Sequence, residues 1–409
     1  MGKWGTVRVL RDRNAGLYLS GVVVSGFGTS AMWLVAGVWV KSLTGSDSLA
    51  ALTAFAMWAP VLAGPALGAL ADRLPRRPLL VAVNLLMAAL LPLLLLLDSA
   101  DRVWLLFAVL LAYGICGTLH DAAESALVAQ AVDARLLGDL GGLRLAAGEG
   151  MKLLAPLVGA GLFARFGGAS VALLDAVTFA LAAGIFVRVR AGGTAAERGP
   201  AGGGFAAGAR QLWGSPVLRP LVLAGGAVMF LAGLNGAAVY AVADGVLGRA
   251  PAYVGLLYAV QGAGSVLAGL AAGPLLRRLP GRVFAAAGTG LFALGAGVRA
   301  VPYDAVVLAG SAAIGMGLPC VLIAALTAVQ REVPDAVLGR AAATANTVLF
   351  VPNAVALALG AGLVAFMDVR VLLPLLAVAG LAVATPLLVA RRPHPAARTP
   401  EGPVSPARR

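Results

Sequence analysis

Charge is scarce in this chain. Asp, Glu, Lys and Arg make up 12% of its 409 residues, while 60% are hydrophobic. Soluble proteins carry about 25% charged and roughly 45–50% apolar residues. A soluble multidomain protein is therefore excluded, disorder with it, and lipid must be the solvent for most of the chain. Cysteine is nearly absent: Cys116 and Cys320 both lie in apolar runs, so no disulfide framework is implied. The two histidines, His120 and His394, without CxxC or HExxH, give no basis for a metal site. The phosphate-cradling pattern GxxxxGK[ST] is missing, which excludes a built-in nucleotide motor. No cleavable signal peptide is evident, because the first apolar run after Arg11 and Arg13 is about 25 residues long and so can span.

What the chain has in abundance is long Leu/Ala/Val runs without period-2 alternation, hence helices and not barrel strands. At about 20 apolar residues per crossing, twelve spans are predicted: 15–40, 48–71, 78–97, 103–123, 140–164, 170–188, 219–242, 252–276, 283–301, 305–329, 341–366 and 371–390. The net charge of +13 raises the question of nucleic acid, and placement answers it. With the first loop cytoplasmic, 24 Lys/Arg fall at the cytoplasmic side and six (Lys41, Arg102, Arg165, Arg249, Arg299, Arg370) at the outer side, with Lys152 inside a span. That is the positive-inside pattern, with both termini cytoplasmic. No nucleic-acid partner is needed. The expected fold class is an all-α polytopic membrane protein of twelve transmembrane helices.

A Gly- and Arg-rich break divides these spans six and six. The expected organisation is a six-helix half over 1–190, a cytoplasmic linker over 191–218, a second half over 219–392 and a disordered tail over 393–409. Gln211, Leu212 and Trp213 predict a short surface helix within the linker. The halves also repeat each other. Gly68-Ala-Leu-Ala-Asp72-Arg73-Leu-Pro75-Arg76-Arg77 returns as Gly273-Pro-Leu-Leu-Arg277-Arg278-Leu-Pro280-Gly281-Arg282, with six of ten positions identical. A second echo links Val132–Gly138 to Val333–Gly339. Two unrelated bundles would not share loops in register, so the chain reads as two pseudo-symmetric six-helix halves.

With Gly68-x-Leu70-Ala71-Asp72-Arg73-x-x-Arg76-Arg77 in its first short loop, the chain resembles the major facilitator superfamily. It is most similar to the drug-efflux branch that includes macrolide and siderophore exporters. Val333-Pro334-Asp335, Gly339-Arg340 and Leu174-Asp175-Ala176 are similar to that branch as well. Pro75 stands where the family has glycine, Ala155-Pro156-Leu157-Val158-Gly159-Ala160-Gly161 replaces its Gly-Pro antiport stretch, and Val103–Ala123 lacks its intramembrane arginine. The resemblance implies a membrane transporter and no enzyme: proton-coupled efflux of a drug, antibiotic or other secondary metabolite across the cell membrane. Its partners would be lipid, protons and the small molecule, its energy source the proton gradient without a cofactor, and its default state a monomer. An importer or uniporter of the same fold would share these features. A non-transporting membrane sensor would need a soluble domain, and the longest non-membrane stretch is only about 30 residues.

Candidate residues follow from cost. Asp72 can accept backbone N–H groups at a helix end, and Arg73, Arg76, Arg77, Arg277, Arg278 and Arg282 can bind carboxylates or lipid phosphates. Together with Gly68 they form either a conformational latch or a loop that only sets topology. Ionisable groups at membrane depth are expensive, which singles out Glu149 and Lys152, neighbours at i,i+3. Three readings stand: Glu149 takes up the coupling proton, the two form a permanent ion pair, or Lys152 binds an anionic substrate. Pro156 and Gly159 mark a bend on the same face. Trp33, Trp58, Tyr113, Asn235, Tyr258 and Gln261 are candidate cavity residues. His120, Asp121 and Glu124 are expected at a solvated helix end or beside loop arginines, Asp175 against a helix end or Arg165, and Trp39 and Trp104 at the lipid headgroups. Gly64/Gly68 and Gly269/Gly273 are expected at close helix contacts.

Overall fold

The structure is a computed structural model that describes residues 8–190 and 204–389. The tail over 393–409 and the linker's 191–203 lie outside the described residues. No strand forms among those described, and the helices of ten or more residues are numbered here in chain order. They are α1 (Arg13–Thr44), α2 (Asp47–Trp58), α3 (Gly64–Arg73), α4 (Arg76–Leu90), α5 (Val103–Ala131), α6 (Ala134–Phe166) and α7 (Gly168–Phe186). After the linker come α8 (Gly204–Gly214), α9 (Leu218–Ala237), α10 (Val254–Arg278), α11 (Gly281–Val298), α12 (Asp304–Glu332), α13 (Asp335–Phe366) and α14 (Val369–Val389). The expected surface helix is α8.

Each predicted span meets one helical traverse. Ten stretches are long and apolar enough to cross a membrane, and Asp47–Ala63 and Leu154–Phe166 are shorter apolar helices. The second traverse is broken for a local reason. Pro60 cannot donate to the helix ladder, so α2 tightens into a 3₁₀ turn over Ala59–Ala63 and restarts as α3 with Pro65 in its first turn. The sixth helix is long, but Arg144, Glu149 and Lys152 leave only its second part apolar. At the start of the bundle, Asp12 caps α1 by accepting the Ala15 N–H at 2.8 Å. Gly45, at φ 71°, turns the chain toward α2 in a conformation that glycine tolerates best.

The duplication is visible in the backbone itself. Leu74 (φ −103°, ψ 149°) and Leu279 (φ −113°, ψ 142°) end α3 and α10 in the same extended conformation. Pro75 (ψ 127°) and Pro280 (ψ 138°) then start α4 and α11. Val132 and Val333 likewise end α5 and α12 extended. Packing repeats with them: α4 lies against α5 and α7 as α11 lies against α12 and α14, and α1 against α6 as α9 against α13.

The most extensive contacts between the halves are α2 on α13 and α6 on α10. Both are placed at one end of the bundle, the end of Lys41, Phe166 and Val254. The basic turns at Arg73–Arg77 and Arg277–Arg282 lie one helix length away, together at the opposite, basic end. Leu270, Val378 and Phe366 are 74%, 66% and 94% exposed, as lipid-facing side chains are, so exposure of large apolar groups here is not a defect of folding.

Candidate functional site: the junction between the halves

The end marked by Lys41 is closed by polar and aromatic groups reaching from one half to the other. Lys41, at the last turn of α1, is 7% exposed, pairs with Asp47 Oδ1 at 3.0 Å and Asp244 Oδ2 at 2.8 Å, and donates to the Gly45 carbonyl at 2.9 Å. Asp244 belongs to the other half. One turn deeper, the Tyr240 hydroxyl donates to the Leu34 carbonyl at 3.4 Å. It crosses there because residue 37 is glycine, where a Cβ would stand 1.9 Å from that hydroxyl. Trp33 of α1 then meets Tyr258 of α10 edge-on, with ring centroids 4.8 Å apart. Gly255 brings α10 against Ala160 and the Pro156 carbonyl of α6.

Toward the basic end this closure stops. Outside their own helices, Cβ atoms added at Gly64, Gly68, Gly148, Gly150 and Gly269 would meet nothing within 4 Å, and one at Gly273 only Arg277 of its own helix. The expectation that Gly64/Gly68 and Gly269/Gly273 sit in tight helix contacts is therefore corrected. These glycines have open space beside them instead.

Of the candidate cavity residues, Trp33, Tyr258, Asn235 and Gln261 are gathered near this junction. Gln261 lies one turn along α10 from Tyr258, with its carbonyl tight against Gly315 of α12. Trp58 is half-buried beside the break after α2. Tyr113 is not a cavity residue. It is buried, donates to Asp175 Oδ2 at 2.9 Å, stands 2.7 Å from Thr29 Oγ1 and packs edge-on with Phe179. Asp175 is correspondingly fully buried, touches neither Arg165 nor a helix end among the described contacts, and also accepts from Thr178 at 3.2 Å. Both expectations fail for one reason: α1, α5 and α7 meet at that depth, and a buried carboxylate takes the nearest donors.

Glu124 also departs from a solvated helix end. It is 3% exposed and accepts from Tyr18 of α1 and from Arg144 of α6 at 2.8 Å, with His120 at 3.6 Å. His120 in turn lies 3.2 Å from Asn84 Nδ2. Asp121 is exposed. Trp39 is buried, its indole against Gly168, whereas Trp104 is 67% exposed as an interfacial residue should be.

The latch residues are placed in part. Arg76 Nη1 donates to the Ala71 carbonyl at 2.6 Å, closing the end of α3, and Arg77 donates to the Val187 carbonyl just beyond α7. Arg73, Arg277 and Arg278 are exposed and Arg282 half-buried. The side chains of Asp72, Glu149 and Lys152 lie outside the described residues. Their helices are described: Glu149 and Lys152 ride the basic half of α6, one to two turns before Pro156, and Gly159 presses α6 onto Ala31 of α1.

Two groups escaped the sequence reading. Lys41 and Arg299 were both counted as outer-loop charges, yet both are buried. Arg299 caps the end of α11, is 1% exposed, and donates through Nη1 to Asn235 Oδ1 at 3.1 Å. The signal was the isolation of Arg299 at the end of a long apolar span. Elsewhere, a cleft of about 400 Å³ between α9, α13 and α14 is lined by Leu223, Phe230, Val348, Pro352 and Val383. Its wall is apolar throughout and offers nothing to orient a polar ligand.

A duplicated helical bundle whose halves meet along such a junction is the architecture of a membrane transporter. Residues 18–245 match the family Major Facilitator Superfamily, and the chain belongs to it. Solved structures of the same fold include a variant of the nucleoside transporter NupG (TM-score 0.70, 13% identity, 91% of this chain and 99% of that one). The POT family transporter PepTSo is similar at TM-score 0.73 and 13% identity, covering 92% and 97%. A bacterial homologue of the iron transporter ferroportin, solved in an inward-facing state, is similar at TM-score 0.68 and 16% identity, covering 93% and 98%. No curated protein sequence matches the chain.

Proposed function

We propose that this protein is a secondary active transporter that exports a small, largely apolar organic compound (a drug, antibiotic or other secondary metabolite) in exchange for protons. It works as a monomer in the cell membrane, with the basic end and both termini cytoplasmic. The halves rock about the Trp33–Tyr258 contact and expose a central site to each side in turn. The observation that supports this most directly is the asymmetry of the junction. Among the described contacts, an interhalf ion pair, a tyrosine hydroxyl and an aromatic pair lie at the Lys41 end. Closure at that end is what the cytoplasm-facing half of an alternating-access cycle requires.

In the opposite state the basic end closes. There the latch of Gly68, Asp72, Arg73, Arg76 and Arg77, with Arg277, Arg278 and Arg282 across the pseudo-two-fold, contributes charge-assisted hydrogen bonds to helix ends and carboxylates. Glu149 takes the coupling proton, and its neutralisation releases Lys152. The proton gradient is then the only energy input, without a cofactor.

The test is transport by the full chain in proteoliposomes under an imposed pH gradient, with a panel of lipophilic fluorescent dyes as probes. Dye movement against its gradient, collapsing with the pH gradient, is expected for the wild type. Glu149→Gln should lose gradient-driven efflux yet keep counterflow exchange. Efflux by that variant at the wild-type rate removes Glu149 from the mechanism, and movement indifferent to pH makes the protein a uniporter.

A further inference from the structure

The polar groups buried in this bundle are, with few exceptions, answered by partners; Arg299 is not. Its guanidinium carries five N–H donors and stays protonated under any physiological condition. Nη1 donates to Asn235, but Nε and Nη2 are buried without an acceptor. No carboxylate pairs with it among the described residues; the titratable group near enough to act on it is the phenol of Tyr258, which is neutral at ordinary pH. The C-terminal end of α11 offsets part of the charge through its carbonyls, yet a buried ion without a counter-ion remains costly.

The chain makes room for this arginine. A Cβ at Gly310 of α12 would stand 2.9 Å from Arg299 Cγ, so the stem crosses α12 only because residue 310 is glycine. The head is thereby carried to Asn235 of α9, within electrostatic reach of Tyr258 of α10. Tyr258 is itself the ring that meets Trp33 across the junction. Asn235 accepts from Arg299 through Oδ1, and its amide nitrogen is chemically a further donor. The free pair, Nε and Nη2, is the side-on fork of the guanidinium: two parallel N–H groups spaced for the two oxygens of one carboxylate.

We propose that Arg299, Asn235 and Tyr258 form an anion-binding subsite. It receives the carboxylate of a singly charged amphiphile whose apolar body lies against Trp33 and Tyr258. The identity of the occupant as cargo rests on the transport reading above; the binding chemistry does not. Arg299 is closed off in the present conformation, so the carboxylate reaches it as the contacts around Tyr258 and Trp33 loosen, and the charge pairing then rewards that movement.

The test is thermal unfolding of the purified full chain with sodium benzoate as probe, against methyl benzoate and sodium chloride at matched ionic strength. Benzoate should raise the wild-type Tm saturably, while the neutral ester and chloride should not. Arg299→Gln should raise the half-saturating concentration about tenfold or more, as loss of a charge-assisted pair does. Arg299→Lys should fall between the two. Tyr258→Phe and Gly310→Ala, the second displacing the stem, should each weaken binding by roughly threefold; they serve if Arg299→Gln does not fold. The proposal is overturned if benzoate leaves the wild-type Tm unchanged. It also falls if the ester or chloride shifts Tm equally, or if Arg299→Gln keeps wild-type affinity. Transport lost with benzoate binding intact would count against the transport reading and leave the subsite standing.

Discussion

Each half of the molecule buries a polar node, and the two differ in kind. In the first half, Asp175 takes Tyr113 and Thr178, and Tyr113 also meets Thr29, with Gly28 making room beside Asp175 and Thr178. Every group in that node has a partner from α1, α5 or α7. In the second half, Arg299 has one partner and two nitrogens without any. A completed network holds helices together; an incomplete one of a single charge is poised for something that arrives later. The depth of burial is the same, so burial alone does not separate structural from functional polar groups. Pairing does.

This contrast breaks most easily by removing each charge in turn. Asp175→Leu removes two hydrogen bonds while Tyr113 keeps Thr29 and Thr178 keeps the residue 175 carbonyl, and should cost about 0.5–1.5 kcal/mol per lost bond, read as a lowered unfolding temperature. Arg299→Met should act in the opposite sense, stabilising the ligand-free protein by about 1–3 kcal/mol, since an apolar side chain of similar volume replaces a poorly paired ion. If both substitutions destabilise equally, the distinction between the nodes fails.

The buried and solvent-exposed contacts near the Lys41 end offer the next comparison. Gly37→Val should drive Tyr240 off α1, because even a single Cβ there stands 1.9 Å from the hydroxyl. Spin labels placed across the Lys41 end should then report a longer separation, and Tyr240→Ala in the same chain should restore the short one. Lys41→Met removes the interhalf ion pair with Asp244 and should shift the conformational balance about tenfold, as loss of a charged hydrogen bond does. The smallest effect is expected at Arg249→Gln. Its pair with Asp304, at 2.7 Å, is open to solvent, and the unfolding temperature should not move measurably.

Much of the fold was legible before any coordinates. Twelve apolar runs, the doubled Gly…Leu-Pro loop and the clustering of arginines each depend on residues close in sequence, and each has its counterpart in the helices. Pro75 and Pro280 show how literal this was: the same residue at the same turn gives the same backbone angles. The site was less legible. Trp33, Asn235, Tyr258 and Gln261 were singled out because aromatic and amide groups in apolar runs are conspicuous, and the fold brings them near the junction. Tyr113 met the same criterion and belongs elsewhere, since its role depends on Asp175, 62 residues away. Lys41 and Arg299 were lost to a rule that assigns charges near span ends to loops.

By itself, then, the sequence determined the solvent, the helical class and the two-fold repeat. Hydrophobicity, helix length and charge bias act segment by segment, and a lipid phase enforces them on each helix separately. Only the tertiary structure decided which polar groups are answered. Lys41 finds Asp244, and Arg299 finds Asn235 but no acid, through the approach of helices far apart in the chain. Those approaches are set by small residues such as Gly37 and Gly310, whose importance lies in what passes over them.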